Sequence, residues 1–241
     1  MQNNIVIIPT YNEIDNISAM IDVVLGLDGG AFDLLVIDDG SPDGTAEVVK
    51  ERMRDCIGRL FLVERSGKLG LGSAYIAGFR WALERGYRYI YEMDCDFSHN
   101  PSDLLRLRDE AQSGADVVVG SRYIEGVNVV NWPMGRLLLS YFASAFVRLV
   151  TGLKVMDATA GFVCYRREVL ERIDLDRVKM QGYGFQIEMK YTAIKLGFCL
   201  KELSIIFTER REGISKMSGG IFGEAVFGVM QLPLRRIKAR K

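Results

Sequence analysis

Net charge is the first thing this chain lacks: 31 lysines and arginines are matched by 31 aspartates and glutamates over 241 residues. Nucleic-acid binding through bulk positive charge is thereby excluded. Cysteine is sparse. The four (Cys56, Cys95, Cys164 and Cys199) are scattered with no C-x-x-C spacing. That argues against a disulfide framework or a zinc site, and for reduced thiols in a cytosolic protein. Long hydrophobic runs are missing too. The first, Ile5 to Ile8, is too short for a secretion signal and runs into Pro9. No stretch reaches the roughly 18–20 uninterrupted apolar residues that a membrane-spanning helix needs. Phosphate-loop signatures are also absent: there is no G-x-x-x-x-G-K-[ST], and no G-x-G-x-x-G opens a helix after the first strand-like run. Gly67-Lys68-Leu69-Gly70-Leu71-Gly72 is glycine-rich but follows the third such run. It shapes a loop and a helix start, with Lys68 a candidate neighbour of phosphate. A nucleotide diphosphate would therefore be held by metal and side chains.

What is present is a globular composition, 49% hydrophobic and 26% charged, which excludes a disordered chain. The length suits one large domain, or a domain with a small appendage. Short β-branched runs at Ile5–Pro9, Leu34–Asp38, Leu60–Val63, Tyr89–Met93 and Val117–Gly120 read as strands. Helical segments fall between them near Asn16–Leu25, Thr45–Arg54, Gly72–Arg85 and Ser102–Gln112, the last with Ser102 as N-cap. This βαβα rhythm predicts an α/β fold with a mostly parallel central sheet flanked by helices. After about residue 125 the rhythm changes. A long apolar helix (Met134–Val150) precedes a strand near Ala160–Tyr165, a helix near Phe185–Lys195 and a strand near Leu200–Phe207. No linker separates the halves, so the second half is expected to build the acceptor side of a site on the first.

In open α/β sheets ligands bind beyond the carboxyl ends of the strands. Those positions hold Pro9-Thr10-Tyr11-Asn12-Glu13, Asp38-Asp39-Gly40-Ser41-Pro42-Asp43-Gly44-Thr45, Asp94-Cys95-Asp96 and Gly120-Ser121-Arg122-Tyr123. Each alone could be a turn or a helix cap; their joint placement at successive strand ends points to a site. In an extended Asp94-Cys95-Asp96, both carboxylates face one side and Cys95 the other. Two such oxygen ligands suit Mg²⁺ or Mn²⁺, and a cation relieves their mutual repulsion. His99 is read as ordering this loop with Asn100 and Pro101. Glu188 is read either as a core or salt-bridge residue or as a site residue orienting a basic partner. Two segments, Leu137–Val147 and Ile221–Leu234, are apolar with basic flanks, the second followed by Arg235, Arg236, Lys238, Arg240 and Lys241. They read as amphipathic helices or as attachments to an anionic membrane surface.

The motifs at 9–13, 38–45 and 94–96 closely resemble those of the inverting family 2 glycosyltransferases of GT-A (Rossmann-like) fold. Further stretches at 68–75, 120–123, 131–133, 159–162, 182–188 and 210–216 narrow the resemblance to polyprenol-phosphate (dolichol-phosphate) mannose synthases, of the soluble bacterial type. The resemblance runs from Ile5 to about Lys216. It implies a catalytic domain over 1–217 and an amphipathic, basic tail with interfacial helices over 218–241. It implies transfer of mannose from GDP-mannose to a polyprenyl phosphate with inversion. Pro9, Tyr11, Glu13 and Asp39 match nucleotide-holding positions, and Asp94, Cys95 and Asp96 span the motif that meets metal and diphosphate. Ser98 stands where some members place a third metal contact. Arg122, Arg136 and Ser140 match positions holding the acceptor phosphate and placing the sugar, with Asp96 beside them in the catalytic group. Arg210 and Lys216 match a basic loop over the donor diphosphate. Two departures are Cys95, where alanine is common, and Ser98 in place of glutamine. The resemblance also implies a peripheral enzyme at the cytoplasmic face of the membrane, with or without a membrane-anchoring partner protein, and no nucleic-acid partner. The alternatives are a polyprenyl-phosphate glucosyltransferase using UDP-glucose, and a non-catalytic nucleotide-sugar-binding or membrane-scaffold protein.

Overall fold

The computed structural model describes residues 3–209, 226–235 and 237–240. The first half alternates as the hydropathy pattern predicts: β1 (Asn4–Thr10), α1 (Ile14–Gly26), β2 (Asp33–Asp38), α2 (Thr45–Asp55), β3 (Leu60–Glu64), α3 (Leu71–Glu84), β4 (Tyr89–Glu92), α4 (Asp103–Gln112) and β5 (Val117–Ser121). The second half contains β6 (Val129–Val130), α5 (Met134–Thr151), β7 (Val163–Arg166), α6 (Arg167–Arg172), α7 (Gly182–Lys195), β8 (Leu200–Ser204) and β9 (Phe207–Thr208).

Continuously apolar strands imply a sheet covered on both faces, and alternate residues serve two cores. Val6, Ile8, Leu34 and Val36 pack with Ile17 and Met20 of α1 and with Leu104 and Leu107 of α4. Their neighbours Ile5, Ile7, Leu35 and Ile37 pack with Tyr75 and Phe79 of α3 and with Phe185 and Met189 of α7. The sheet order is β3-β2-β1-β4-β7-β5-β8. All neighbouring pairs are parallel except the two involving β7, which is antiparallel to β4 and β5. The expectation of a mostly parallel sheet holds, and the reversal of β7 has a topological cause. The chain leaves β5 at the carboxyl edge, and β7 enters from that same edge, with Val163 opposite Glu92 and Val119. A strand entered from that edge must run backwards.

Two local expectations are corrected, and one stands with a qualification. Ser102 precedes α4 but makes no side-chain cap; Asn100 Oδ1 instead accepts the Ser102 N–H at 3.1 Å. The strand read over Leu200–Phe207 is two: β8 stays in the main sheet, while β9 leaves it to pair with β6. Finally, α5 has 18 residues and a composition apolar enough to cross a membrane, with 17% of it buried, although Arg136 and Arg148 interrupt the apolar run. The boundary expected at 217/218 lies outside the described residues.

Helix α3 lies on β1 through Gly78: a Cβ there would meet Ile7 Cγ2 at 2.7 Å. Ile7 is fully buried in the central strand and has no room to yield. Gly78→Ala should therefore destabilise the protein by about 1–3 kcal/mol through overpacking, read as a lower urea midpoint at unchanged slope. An unchanged midpoint would contradict this packing.

Candidate active site

The strand ends meet as the topology requires. On the side of β1 and β2, Asp38 takes hydrogen bonds from Thr10 Oγ1 at 2.9 Å and from the Ser41 hydroxyl at 2.6 Å, so it is the turn former. Asp39 is buried and grips Arg65, at the end of β3, through both oxygens at 2.6 and 2.7 Å. Arg65 also donates to Ser73 Oγ at 2.8 Å, tying the start of α3 to the same cluster. Pro9 is half-buried in β1. Glu13 accepts from Asn16 Nδ2 at 3.0 Å. Lys68 lies over the Tyr11 ring, 5.0 Å from its centroid.

After β4 the chain turns sharply, with Phe97 at φ 57°. Asp94 and Asp96 line one small cleft of about 70 Å³, while Cys95 is packed in the core beside Met93. Both carboxylates reach the cleft and the thiol does not, as expected, although Cys95 and Asp96 lie in a bend and not in an extended segment. Cys95 does not line this cleft, and its thiol contributes no ligand there. Asp96 Oδ1 accepts both the N–H of Ser98 at 3.0 Å and its hydroxyl at 2.5 Å; Ser98 therefore positions Asp96. His99 is stacked on Phe162 at 4.9 Å and edge-on to Phe207 at 5.1 Å, with Nδ1 3.9 Å from Asp94 Oδ2. Burial pushes its pKa down to about 4, so the imidazole is neutral near pH 7. Among the described residues no group of three His, Cys, Asp or Glu side chains could hold a metal by itself. Two carboxylates on one cleft, one of them 42% exposed, nevertheless fit a hard divalent cation that completes its shell with substrate oxygens or water.

Beyond β5 lies a different environment. Arg122 is buried and clamped by Asp157, with Nε and Nη2 each 2.6 Å from a carboxylate oxygen and the Arg122 N–H 3.0 Å from Oδ2. Its Nη2 also donates to Thr159 Oγ1 at 2.9 Å, and its guanidinium carbon lies 5.4 Å from the Trp132 ring. Burial alone would raise the Asp157 carboxyl, but the Arg122 charge and its hydrogen bonds outweigh this and hold it below the ordinary value. Arg136 stacks over Trp132 at 4.2 Å and pairs with Glu209 at 3.0 Å. The hydroxyl of Tyr123 donates to Ser140 Oγ at 2.8 Å.

Between α5, α7 and residues 226–229 runs an apolar cavity of about 420 Å³. Arg122, Trp132, Arg136, Thr159 and Tyr183 line both it and the carboxylate cleft. The arginines are thus the partition between an oily chamber and an acidic one. Arg210 and Lys216, expected over the diphosphate, lie outside the described residues.

Several polar groups escaped the sequence reading. Asp157 and Arg65 were missed as partners of Arg122 and Asp39. So was Lys190, fully buried, whose ammonium donates to the carbonyls of Ala160 at 2.6 Å and of Ala158 at 3.3 Å. Gln186, one turn earlier, donates to buried Glu92 at 2.8 Å. Burial pushes the Glu92 carboxyl up and the Lys190 ammonium down. A lysine in a helix whose apolar residues leave no wet face was the visible signal. Glu188 meets the salt-bridge reading given above: it is buried and pairs with Arg235 at 2.7 Å.

The chain belongs to glycosyl transferase family 2, whose model matches residues 5–174. The polyprenol monophosphomannose synthase of Mycolicibacterium smegmatis is 47% identical over 97% of this chain and 88% of its own length. The undecaprenyl-phosphate mannosyltransferase of Micrococcus luteus is 47% identical over 92% of this chain and 90% of its own. Among solved structures, glucosyl-3-phosphoglycerate synthase from Mycobacterium tuberculosis with phosphoglyceric acid superposes with a TM-score of 0.73 at 19% identity, covering 96% of this chain and 80% of that one. The same enzyme with Mn²⁺, UDP-glucose and glycerol 3-phosphate gives 0.69 at 19% identity, covering 97% and 79%. These two establish the GT-A fold.

Asp157→Asn would leave the Arg122 charge buried and unpaired. It should cost about 3–5 kcal/mol, whereas Asp94→Asn, half-exposed, should cost under about 1 kcal/mol. Because the Asp157 carboxyl is held below 3.8, its contribution is complete above that pH and is lost as pH falls below it. Urea unfolding of both variants at pH 7 and pH 3 checks this; equal costs at pH 7 would contradict the burial argument.

Proposed function

We propose that this chain transfers mannose from GDP-mannose to a polyprenyl phosphate with inversion, giving polyprenyl-phosphate-mannose and GDP. One observation carries the reading: a paired-arginine partition separates an apolar chamber, suited to isoprenoid chain, from a cleft bearing two carboxylates. The names and 47% identity of the two relatives support the lipid acceptor and the mannosyl group.

The acceptor phosphate monoester has a second pKa of about 6 and is largely dianionic at neutral pH. It is already a nucleophile and needs no general base. Arg122, made rigid by Asp157, and Arg136, stacked on Trp132, hold that phosphate at the partition with fixed planar donors. Ser140, kept in place by Tyr123, helps to place the sugar. The chain's hydrocarbon lies along α5 and α7. Direct attack on the anomeric carbon from this side inverts it. Pro9, Tyr11, Glu13 and Asp39, the last through Arg65, hold the nucleotide, and Asp96 and the Cys95 main chain edge the diphosphate. Asp94 and Asp96, the latter steadied by Ser98, would hold Mg²⁺ or Mn²⁺, which neutralises charge on the leaving diphosphate when bound. Arg210 and Lys216 are assigned to the same diphosphate by the family resemblance alone.

The lipid acceptor is held in a bilayer, and exposed Leu138, Leu139, Phe142 and Leu149 support α5 as the membrane-facing element. The proposed setting is the cytoplasmic face of the membrane, with 1–217 as catalytic domain and 218–241 as C-terminal segment.

Purified protein with labelled GDP-mannose, Mg²⁺ or Mn²⁺ and polyprenyl phosphate in detergent should place label in the organic phase, and UDP-glucose run in parallel should not. Label from UDP-glucose alone would overturn the sugar. Asp96→Ala should lose roughly 10²–10³-fold in kcat. Arg136→Ala should act mainly on the KM for acceptor. Because the acceptor must be dianionic, kcat/KM should fall about tenfold per pH unit below about pH 6; a profile flat from pH 5 to 8 would contradict attack by the unassisted phosphate.

A further inference from the structure

The apolar chamber is not closed by the glycosyltransferase sheet and its helices alone. Residues 226–231 are helical and contribute Val226 and Val229 to the cavity that α7 lines with Tyr183 and Ile187. Val229 and Leu232 are buried in a cluster with Val147 of α5, Met180, Ile187 and Tyr191. A C-terminal segment expected to lie on a membrane as a basic tail is thus part of the cavity wall.

Its attachment converges on one carboxylate. Glu188 follows Ile187 in α7 and is buried. Its Oε2 accepts the backbone N–H of Lys179 at 2.9 Å and of Met180 at 2.8 Å. Its Oε1 accepts from Arg235 Nη1 at 2.7 Å. Met180, fixed by that hydrogen bond, lies between two glycines: a Cβ on Gly184 of α7 would fall 2.7 Å from Met180 Cε, and one on Gly228 would fall 2.6 Å from it. The C-terminal helix therefore approaches Met180 through a residue with no side chain. Further on, the Arg240 N–H donates to the Arg172 carbonyl at 2.9 Å, and Ala239 bridges Ile173. A pair with one buried partner that also satisfies two backbone donors is worth more than an exposed one, and loss of either charge leaves the other side incomplete. Arg235, counted above among the membrane-binding cations, is committed to the protein.

We infer that Glu188 and Arg235 are positioning residues for the lipid acceptor. Their ion pair sets residues 226–235 against α7 as a fixed wall, and so governs the grip on the acceptor's hydrocarbon chain rather than on its phosphate. The inference rests on the reading of the apolar cavity as the acceptor site. It predicts discrimination by chain length, because only an acceptor long enough to fill the chamber touches Val226 and Val229.

The test compares the full-length protein with Arg235→Met, Arg235→Lys and Ala143→Trp, the last placing bulk inside the cavity. Initial rates are measured with saturating GDP-mannose on a long polyprenyl phosphate and on a two-isoprene phosphate, and with GDP-mannose varied at saturating long acceptor. Arg235→Met should raise KM for the long acceptor about tenfold, the equivalent of about 1.4 kcal/mol. KM for the short acceptor and for the donor should stay within about twofold, and Arg235→Lys should recover most of the loss. A uniform change in all three constants, or a fall in kcat alone, would overturn the inference in favour of a merely structural role. If Ala143→Trp weakens the long acceptor and Arg235→Met does not, the wall assignment is wrong while the acceptor site stands. If Ala143→Trp leaves both acceptors unaffected, the cavity is not the acceptor site and the inference goes with it.

Discussion

A guanidinium taken out of water must bring its counter-charge with it, and the bidentate Arg122–Asp157 pair is where this chain meets that requirement. The rest of the site follows from it. Arg122 directly follows β5 and Asp157 sits in the stretch that returns to β7, so the ion pair ties the parallel half of the sheet to the strand that reverses direction. Lys190 holds the carbonyls of Ala158 and Ala160 from below, so α7 fixes the loop that presents Asp157. Gln186, one turn back, reaches Glu92 at the end of β4, two residues before Asp94. Groups on the lipid side and groups on the carboxylate side are thereby joined through buried polar contacts, where low polarity makes each contact stronger and each omission costly.

The arrangement answers a chemical problem. A phosphate on a long hydrocarbon tail and a nucleotide with a charged diphosphate have opposite solvent preferences, yet their reacting atoms must meet. Apolar walls on one side and carboxylates on the other, with arginine and tryptophan shared between them, let each partner stay in its own medium up to the reacting centre. The nucleophile arrives already ionised, so the protein's part is placement and charge balance. That is consistent with a neutral His99 packed between rings and with side chains near the acceptor being donors rather than bases.

The first half of the molecule was legible because its signals are local. Continuous apolar runs gave β1 to β5, and the i, i+2 spacing in Asp94-Cys95-Asp96 gave the shared cleft of the carboxylates and a Cys95 turned away from it, although Cys95 and Asp96 lie in a bend. The direction of β7 was not legible, since it depends on which edge of the sheet the chain re-enters and not on the residues of the strand. Partners were hidden for a similar reason. Asp157 lies 35 residues from Arg122, and Asp39 lies 26 from Arg65, with no periodicity connecting them. Ser102 looked like a cap because capping residues are known by type; Asn100, two residues earlier, makes the turn. The basic C-terminus read as a solvated tail because composition records charge and not its partner; Glu188 supplies that partner for Arg235.

The central claim is that the arginine partition is where lipid phosphate meets nucleotide sugar. A co-crystal structure with Mn²⁺, GDP and a short polyprenyl phosphate tests it most directly. The account predicts the acceptor phosphate on Arg122 and Arg136, its hydrocarbon between α5 and α7, and the metal on Asp94 and Asp96. A phosphate bound elsewhere, or hydrocarbon lying outside the cavity with the arginines making no contact to the phosphate, would contradict it.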